Sequence, residues 1–502
     1  MRILTKNERN TKWLNKMLPE KLNKNFISGL FAILAVVVLI WWYAEDHYPL
    51  EIVARVPGMD NRPKIEPRPD TVVIGEFFDT LNQFDEYAYG EWPRFRGIYF
   101  DNINHDTVPL AESWDSAGPP VVWKKTLGEG YAGASVHNGR VYVLDYDERR
   151  KADVLRCFSL KSGIEIWRRW YYVDLKRNHG YSRTIPAVTD KYLVTIGPRA
   201  HVMCLDPVSG NLFWTCDIEK EFTIPGTTKG RIVPDWYTGQ CPLIDNDVAV
   251  IATGGKALMI GIDCATGKEL WRTPNPDTLR MSHGSIMPMV IHGKKMYVYN
   301  AIGGVCGVSA EDNDRGRLLW TTKEWNPATS VASPLLLKNN EIAVFGSYGA
   351  GGAKLRINYD GSAFNATVVE THKAMEGASS DQHTPIITGD LMWTVMPENA
   401  GELKKQLVCY NVSDLRTPVW SSGRENRYGR GLGPYLISGD RMFLLDDDAN
   451  LYVFNIGTTG ASLLSKYKIM DGIEAWAPMA LAGDYLILRD SRNMVCLYIG
   501  KK

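Results

Sequence analysis

A strand-forming pattern recurs eight times in this 502-residue chain, at intervals of about 44 to 56 residues. Each copy begins beside a proline or a small residue and continues with an apolar stretch, a turn and a second apolar stretch. The marker positions are Ser135, Pro186, Pro242, Pro288, Pro334, Pro385, Pro434 and Pro478. A G-x-x-x-W signal accompanies four copies, at Gly163 and Trp167, Gly210 and Trp214, Gly267 and Trp271, and Gly316 and Trp320. This period predicts one four-stranded antiparallel sheet per copy.

The two ends of the repeat region complement each other. The eighth copy, which begins at Pro478, provides three strands before Lys502 and lacks an outer strand, whereas residues 121–126 (VVWKKT) resemble an outer strand with no sheet before it. A closed ring removes the exposed edges that an open row of sheets would leave. The sequence therefore predicts an all-β, eight-bladed propeller over residues 119–500, in which residues 121–126 complete the last blade.

Some copies also carry a recognisable family sequence. The segments GIDCATGKELW (261–271), CLDPVSGNLFW (204–214) and WPRFRG (92–97) resemble the pyrroloquinoline-quinone-like repeat propellers. That family includes the propeller subunit of the bacterial outer-membrane assembly machinery. The resemblance extends over residues 91–500 and implies the propeller fold. It says less about activity, because proteins with this fold include dehydrogenases and noncatalytic scaffolds.

An uncharged apolar segment at residues 26–43 precedes the propeller. It is long enough to span a bilayer as a helix, and the excess of basic residues in 1–25 predicts a cytoplasmic N-terminus. A cleaved signal peptide is the alternative, but no A-x-A site follows. We therefore expect a single-pass inner-membrane protein with a periplasmic propeller and a linker and capping segment at 44–118. The related assembly subunit is lipid-anchored, whereas the first cysteine here is Cys157.

Half of the eight cysteines occupy one position of the repeat. They are Cys157, Cys204, Cys409 and Cys496, and two further copies have Gly261 and Gly307 there. A position restricted to small residues indicates close packing, which we expect between neighbouring sheets, and buried free thiols suit it. The other four, Cys216, Cys241, Cys264 and Cys306, are weaker disulfide candidates.

Signatures of cofactor chemistry are sparse. The resemblance implies that a dehydrogenase would need pyrroloquinoline quinone, a calcium ion held by side-chain oxygens and often two adjacent cysteines, which this sequence lacks. The C-x-x-C-H haem motif is also absent. Residues 446–448 (DDD) suggest a calcium loop but lie where each sheet needs a polar turn, without the distal glutamate of such loops. We expect no cofactor, and the formal net charge of zero argues against a nucleic-acid surface.

The connections that precede the inner strands are rich in charged and aromatic residues. In a propeller these connections lie on one face, near the mouth of the central channel, so their side chains should converge there. The candidates are Arg183, His283, Asp381, His383, Arg430, Glu474 and Trp476. Histidines and carboxylates could hold a metal, and arginines could bind an anion. A protein-docking face or a plain solvated rim is the interpretation that we favour over a ligand or metal site.

The leading hypothesis from these patterns is a noncatalytic scaffold. In this interpretation the chain is a membrane-anchored periplasmic propeller that binds other envelope proteins during cell-envelope assembly, a role implied by the family resemblance. The alternative is a quinone- or metal-dependent oxidoreductase, a dehydrogenase with its site at the channel mouth and pyrroloquinoline quinone with calcium as cofactor.

Overall fold

The computed structural model describes residues 24–45, 71–111, 113–225 and 232–501. The chain divides into two compact units, Met1–Arg68 and Pro69–Lys502. The basic segment before residue 24 and residues 46–70 of the linker lie outside the described residues. The predictions made for those two segments therefore stay predictions.

The first unit contains one helix, α1 (Lys24–Ala44), in its described part. The helix coincides with the apolar segment 26–43, and its large side chains are exposed, as Phe31 (68%) and Trp41 (61%) illustrate. Within the described residues, no helix is long and apolar enough to cross a membrane. The membrane span remains a prediction from the sequence.

The second unit is an eight-bladed β-propeller, as the repeat period predicts. Three strands precede the repeats: β1 (Phe77–Thr80), β2 (Ile103–Asn104) and β3 (Val121–Thr126). Blade 1 contains β4 (Ser135–His137), β5 (Arg140–Asp147), β6 (Ala152–Ser159) and β7 (Glu165–Tyr172). Blade 2 contains β8 (Ala187–Val188), β9 (Leu193–Ile196), β10 (His201–Leu205) and β11 (Leu212–Asp217), and a short helix α2 (Ile218–Phe222) follows it.

Blades 3 to 5 follow in the same order along the chain. Blade 3 contains β12 (Leu243–Asp245), β13 (Val248–Ala252), β14 (Met259–Asp263) and β15 (Glu269–Thr273). Blade 4 contains β16 (Met287–Ile291), β17 (Lys294–Ala301), β18 (Gly304–Ser309) and β19 (Leu318–Thr322). Blade 5 contains β20 (Leu335–Leu336), β21 (Glu341–Gly346), β22 (Gly351–Tyr359) and β23 (Phe364–His372).

Blades 6 to 8 complete the ring. Blade 6 contains β24 (Ile386–Thr388), β25 (Leu391–Val395), β26 (Leu407–Asn411) and β27 (Asp414–Ser421), with a 3₁₀ turn at Gly401–Leu403. Blade 7 contains β28 (Tyr435–Ser438), β29 (Arg441–Leu445), β30 (Asn450–Gly457) and β31 (Gly460–Lys468). Blade 8 contains β32 (Ala480–Ala482), β33 (Tyr485–Arg489) and β34 (Asn493–Tyr498), together with β3.

Each blade is an antiparallel sheet whose strands we name A to D from the channel outward. Strand A begins within two residues of its predicted marker in every blade. Middle strands such as β13 are buried along their whole length, because each sheet packs between two neighbours. The outer strand β23 instead alternates between exposed and half-buried residues, because one of its faces meets solvent.

Tryptophans on the outer strands connect successive blades. The Trp167 indole Nε1–H donates to the Val208 carbonyl at 3.1 Å, and that of Trp214 donates to the Cys264 carbonyl at 2.8 Å. The glycine of the next repeat approaches the same ring, since a Cβ at Gly267 would lie 2.7 Å from Trp214. The G-x-x-x-W signal is therefore explained by contact between adjacent blades, in which the tryptophan of one repeat packs against the glycine of the next.

The ring closes through strand β3. It pairs antiparallel with β34 and supplies the outer strand of blade 8. Trp123 on β3 continues the tryptophan pattern, because its Nε1–H donates to the Leu160 carbonyl of blade 1 at 2.8 Å. The prediction that residues 121–126 complete the last blade is confirmed.

The small-residue position faces the tryptophan of its own blade: Cys157 pairs with Trp167, and Gly261 pairs with Trp271. The expected contact with a neighbouring sheet is also present at Cys204, whose thiol donates to the Cys264 carbonyl of blade 3 at 3.3 Å. A Cβ at Gly261 would lie only 2.1 Å from the Trp271 ring. All eight cysteines are free thiols, including the disulfide candidates Cys216, Cys241, Cys264 and Cys306.

Residues 92–106, which we call the channel segment, lie against the innermost strands of the ring. Trp92 exchanges two main-chain hydrogen bonds of 2.9 Å with Val136 of blade 1. Strand β2 pairs in parallel with β28 of blade 7, and the Asn104 amide donates to the Leu481 carbonyl of blade 8 at 3.2 Å. The WPRFRG sequence, expected to form a cap, therefore lies inside the ring.

Arg96 fixes the channel segment from within. Its side chain is only 3% exposed. The guanidinium donates to the carbonyls of Phe100 (2.8 Å) and Asp101 (3.0 Å) in the segment, and to those of Thr384 (2.8 Å) and Pro385 (3.1 Å) beside blade 6. One side chain thus joins the segment to a blade almost 300 residues away.

Candidate binding site at the channel mouth

A cavity of about 320 Å³ lies at the end of the channel where the A strands begin, which we call the mouth. Its floor is made by Phe95, Arg96 and Asn102 of the channel segment. Its walls are side chains from the connections between strands D and A and between strands B and C. These connections share one face because the strands of each blade run alternately toward and away from it.

Five of the seven residues predicted from the repeat register line this cavity. They are Arg183, His283, Asp381, His383 and Trp476. Each belongs to a connection that precedes an inner strand, so the shared register brings together side chains from four blade boundaries. Arg430 and Glu474 do not line it.

Arg430 and Glu474 support the wall from outside. The Glu474 carboxylate accepts a hydrogen bond of 2.5 Å from the Tyr131 hydroxyl, and Tyr131 itself lines the cavity. The main-chain N–H of Arg430 donates to Asp447 at 2.6 Å, and Asp447 also accepts from the Trp476 indole at 2.5 Å. Glycines with positive φ flank Arg430 at 429 and 431 and turn the loop there, which the repeat register does not reveal.

Several aromatic lining residues were missed by the sequence analysis. Tyr131 and Trp236 precede the A strands of blades 1 and 3, so the register argument could have identified both. Tyr348 lies in a connection between strands B and C, which that argument did not consider. Tyr131 packs against Trp476 with ring centroids 5.1 Å apart, and Trp236 lies 6.1 Å from Tyr348. Two aromatic pairs therefore form part of the wall.

Trp236 is held in an uncommon backbone conformation. Its φ is 66°, and that of the neighbouring Tyr237 is 70°. The His283 ring nitrogen Nε2 lies 3.0 Å from the Asp235 carbonyl, to which it donates, and the ring lies 6.2 Å from that of Trp236. Left-handed non-glycine residues are costly and concentrate at functional sites. This loop therefore places an indole at the cavity at the expense of local strain.

Two arginines bring positive charge to the cavity without a carboxylate partner. Arg183 donates to the carbonyls of Tyr181 (3.1 Å), Asn178 (3.0 Å) and His179 (2.6 Å), and its guanidinium lies over the Tyr131 ring. Burial lowers the pKa of Arg183 and the pKa of Arg96 to about 10, so both stay cationic at neutral pH. Among the described residues, neither guanidinium forms an ion pair.

The other titratable groups add little opposing charge. Asp381 is the one carboxylate among the described lining residues, and it accepts the Tyr348 main-chain N–H at 2.9 Å. Burial raises the pKa of Asp381 to about 6. Burial also lowers the pKa of His283 and the pKa of His383 to about 4, so both imidazoles are neutral at pH 7. The cavity is therefore net positive.

Solved structures resemble this propeller at low sequence identity. A europium-containing methanol dehydrogenase has a TM-score of 0.53 at 11% identity, covering 80% of this chain and 89% of that one. The quinohemoprotein alcohol dehydrogenase from Comamonas testosteroni has a TM-score of 0.54 at 12% identity, covering 82% and 81%. BamB from Moraxella catarrhalis has a TM-score of 0.48 at 11% identity, covering 76% and 97%. These likenesses concern the fold alone.

The likeness to dehydrogenase folds raises the question whether the cavity could hold a metal-bound quinone. The lining residues do not suit such a group. Calcium takes six to eight oxygen ligands, largely carboxylates and carbonyls, whereas the described lining offers one carboxylate, Asp381, and the side-chain amides of Asn102 and Gln382 beside two guanidinium groups. Among the described residues, no group of three or more histidine, cysteine, aspartate or glutamate side chains is arranged to hold a metal. Cys241 is the single cysteine of the lining, so a pair of adjacent cysteines is also missing there.

Sequence comparison identifies the family directly. A search of curated proteins finds no significant match. The family described as outer membrane protein assembly factor BamB matches residues 150–422, from blade 1 through blade 6. This range is more than half of the 502 residues. The chain therefore belongs to the family of BamB-type, pyrroloquinoline-quinone-like repeat β-propellers.

Proposed function

We propose that this chain is a membrane-anchored periplasmic propeller that acts as a noncatalytic scaffold for other proteins in cell-envelope assembly. The observation that carries the proposal is the family match over residues 150–422, whose description names an outer-membrane assembly factor. A rigid ring of eight interlocked blades presents its loops in fixed positions, which suits a scaffold.

The anchor part of the proposal rests on residues 26–43. They carry no charge, and basic residues dominate the segment before them. Helix α1 covers this range and exposes large apolar side chains such as Leu39 and Trp42. An apolar helix of this kind gains stability when lipid covers it. We infer an N-terminus in the cytoplasm and a propeller in the periplasm of the inner membrane.

The docking part of the proposal rests on the mouth face. Three large apolar side chains there are exposed: Tyr348 (66%), Met375 (69%) and Ile473 (65%). They lie in connections on the same face as the cavity, around blades 5, 6 and 8. Exposed large apolar side chains favour contact with another protein. We therefore place the docking surface for envelope proteins on the mouth face.

A quinone- or metal-dependent oxidoreductase is the second candidate. The likeness of the fold to two dehydrogenases favours it. The cationic lining and the single carboxylate of the cavity disfavour a calcium-bound quinone. Absorbance spectra and metal analysis of the purified full-length protein distinguish the candidates, because a stoichiometric quinone or metal would support the enzyme.

The scaffold proposal is tested by photocrosslinking in native membranes. A photoreactive amino acid replaces Met375 on the mouth face of the full-length chain, and in the control it replaces Asn339, which is exposed in the turn between strands A and B of blade 5. We expect crosslinks to envelope proteins from position 375 but not from 339. Equal crosslinking patterns from positions 375 and 339, or no crosslinks from either, would contradict the docking surface. Separately, N-terminal sequencing of the mature protein tests the anchor, and a start near residue 45 would contradict it.

A further inference from the structure

The central cavity has the charge balance of an anion site. Arg183 lines its wall and Arg96 its floor, and Asp381 is the one opposing charge among the described lining residues. A divalent cation in this position would face two guanidinium groups. An anion would face the same two groups favourably.

The two arginines are held in place before any ligand arrives. Three carbonyl oxygens accept from Arg183 and four accept from Arg96, so several hydrogen bonds position each guanidinium group. The Asp101 carboxylate attracts Arg96 and the Glu129 carboxylate attracts Arg183, but neither carboxylate forms an ion pair with its arginine. A poorly solvated charge without a close partner is costly. A bound anion would place a negative charge directly against the guanidinium groups, which would lose little conformational entropy in binding it.

The rest of the lining suits an apolar body. The Tyr131–Trp476 pair and the Trp236–Tyr348 pair offer aromatic surface on the wall. Small binding cavities combine such surface with a few oriented polar groups that fix the ligand. The volume of about 320 Å³ accommodates a small molecule but not a folded peptide segment.

We propose that the cavity binds a small organic carboxylate, with an apolar body, directly and without a metal ion. This inference goes beyond the scaffold role and does not depend on it. The carboxylate is held on the Arg183 side of the cavity, the Arg96 charge supports it from the floor, and the aromatic pairs contact the body.

Benzoate is the probe, and the neutral benzamide of the same shape is its control. Isothermal titration calorimetry on the detergent-solubilised full-length chain should show benzoate binding, with benzamide at least about tenfold weaker because it lacks the charge. Excess EDTA should leave benzoate binding unchanged. Equal affinity for both compounds, or binding that requires added calcium, would overturn the proposal.

Two variants with opposite expected effects locate the site. Arg183→Gln should weaken benzoate binding at least about tenfold. Arg177→Gln is the matched control, since Arg177 lies on the same connection but is exposed, outside the lining and paired with Glu129. Asp381→Asn should strengthen binding severalfold, because it removes the opposing charge while keeping an acceptor for the Tyr348 N–H.

The outcome is decisive even if one variant fails to fold. A folded Arg183→Gln protein that binds benzoate as tightly as the Arg177→Gln control would overturn the assignment. If Arg183→Gln does not fold, as judged by circular dichroism, Asp381→Asn decides. Unchanged or weaker benzoate binding in Asp381→Asn would then overturn the proposal.

Discussion

The Trp123 indole donates its Nε1–H to the main-chain carbonyl of Leu160 at 2.8 Å, and this bond joins the last blade to the first. Trp123 lies on β3, which completes blade 8, whereas Leu160 follows β6 of blade 1. A Cβ at Gly163 would lie 2.5 Å from the same ring, so the indole is also tightly packed. A side chain from the strand that precedes all the repeats thus adds to the closure that the pairing of β3 with β34 provides.

We predict that Trp123→Phe destabilises the propeller more than Trp271→Phe does. Both changes replace the indole of an outer-strand tryptophan by a smaller phenyl ring. The Trp271 Nε1, however, has no hydrogen-bond partner among the described residues. The difference should be about 1–3 kcal/mol, the cost of a buried carbonyl left unpaired at Leu160. Chemical unfolding followed by tryptophan-independent circular dichroism measures it. Equal losses would show that the Leu160 bond adds nothing to closure.

The change Arg96→Gln should release the channel segment. It removes a guanidinium that satisfies four carbonyl groups, so we expect a loss of about 3 kcal/mol or more in the free energy of unfolding. Limited proteolysis should also cut residues 71–111 faster than in the parent protein. Arg149→Gln, at an exposed turn, is the control. An unchanged cleavage rate for Arg96→Gln would mean that the other contacts suffice to hold the segment.

The propeller was predictable because its signals are local and repeated. The turn markers and the G-x-x-x-W spacing each reflect contacts inside one blade or between adjacent blades, and the markers recur in eight copies and the spacing in four. Strand β3 was predictable for the same reason, since Trp123 follows the outer-strand pattern. The channel segment has no repeat, and its main partners, such as Thr384 for Arg96, lie 288 residues away. Sequence patterns alone do not encode such a contact.

The candidate site was partly predictable from the repeat register. The register places a residue on the mouth face, and it brought Arg183 and His383 to the cavity. The register does not fix the direction of a side chain. It therefore did not reveal that the positive-φ glycines at 429 and 431 turn the loop and leave Arg430 outside the lining. It also omits the floor, because Phe95 and Arg96 come from a segment outside the repeat.

Asp153 should make the propeller less stable as the pH rises from about 4 to 7. The carboxyl is 1% exposed, and burial raises its pKa to about 7, although the Tyr171 hydroxyl donates to it at 2.8 Å. The folded state therefore holds the proton more tightly than the unfolded state, and stability falls as that proton is lost. Asp153→Asn should flatten this dependence and stabilise the protein at pH 8 by on the order of a few kcal/mol.

Unfolding midpoints measured from pH 4 to 8 test the Asp153 prediction. Asp174→Asn, an exposed change in the loop after the same blade, is the control. The prediction fails if Asp153→Asn retains the parental slope or is less stable than the parent at pH 8.

His137 should stabilise the attachment of the N-terminal region most strongly at acidic pH. Its Nδ1 lies 2.6 Å from Glu91 Oε2 and its Nε2 lies 3.0 Å from Asp190 Oδ1, an arrangement in which a protonated ring donates twice. Burial alone would lower the pKa of His137, but hydrogen bonds and charge attraction from Glu91 and Asp190 raise it overall. The stabilisation is thus complete below about pH 6.5 and is lost as the pH rises through the raised pKa.

The measurement compares His137→Asn with the parent protein between pH 5 and 9. We expect a deficit of roughly 0.5–1 kcal/mol at pH 5 that shrinks toward pH 9, because partly exposed ion pairs contribute modestly. His179→Asn, at an exposed position, is the control. A deficit that is constant across this range would refute the role of protonation.

The channel segment also sets the order in which this protein can be built. Residues 92–106 leave the ribosome before any blade, yet the strand that pairs with β2 begins at Tyr435, and the carbonyl that accepts from Asn104 belongs to Leu481. Contacts of such long sequence separation slow folding, because most of the chain must be ordered before they form. The blades therefore assemble around a segment that is already present. We expect chains arrested before blade 7 to leave β2 without its partner strand, so that this part of the segment is open to proteases and to chaperones.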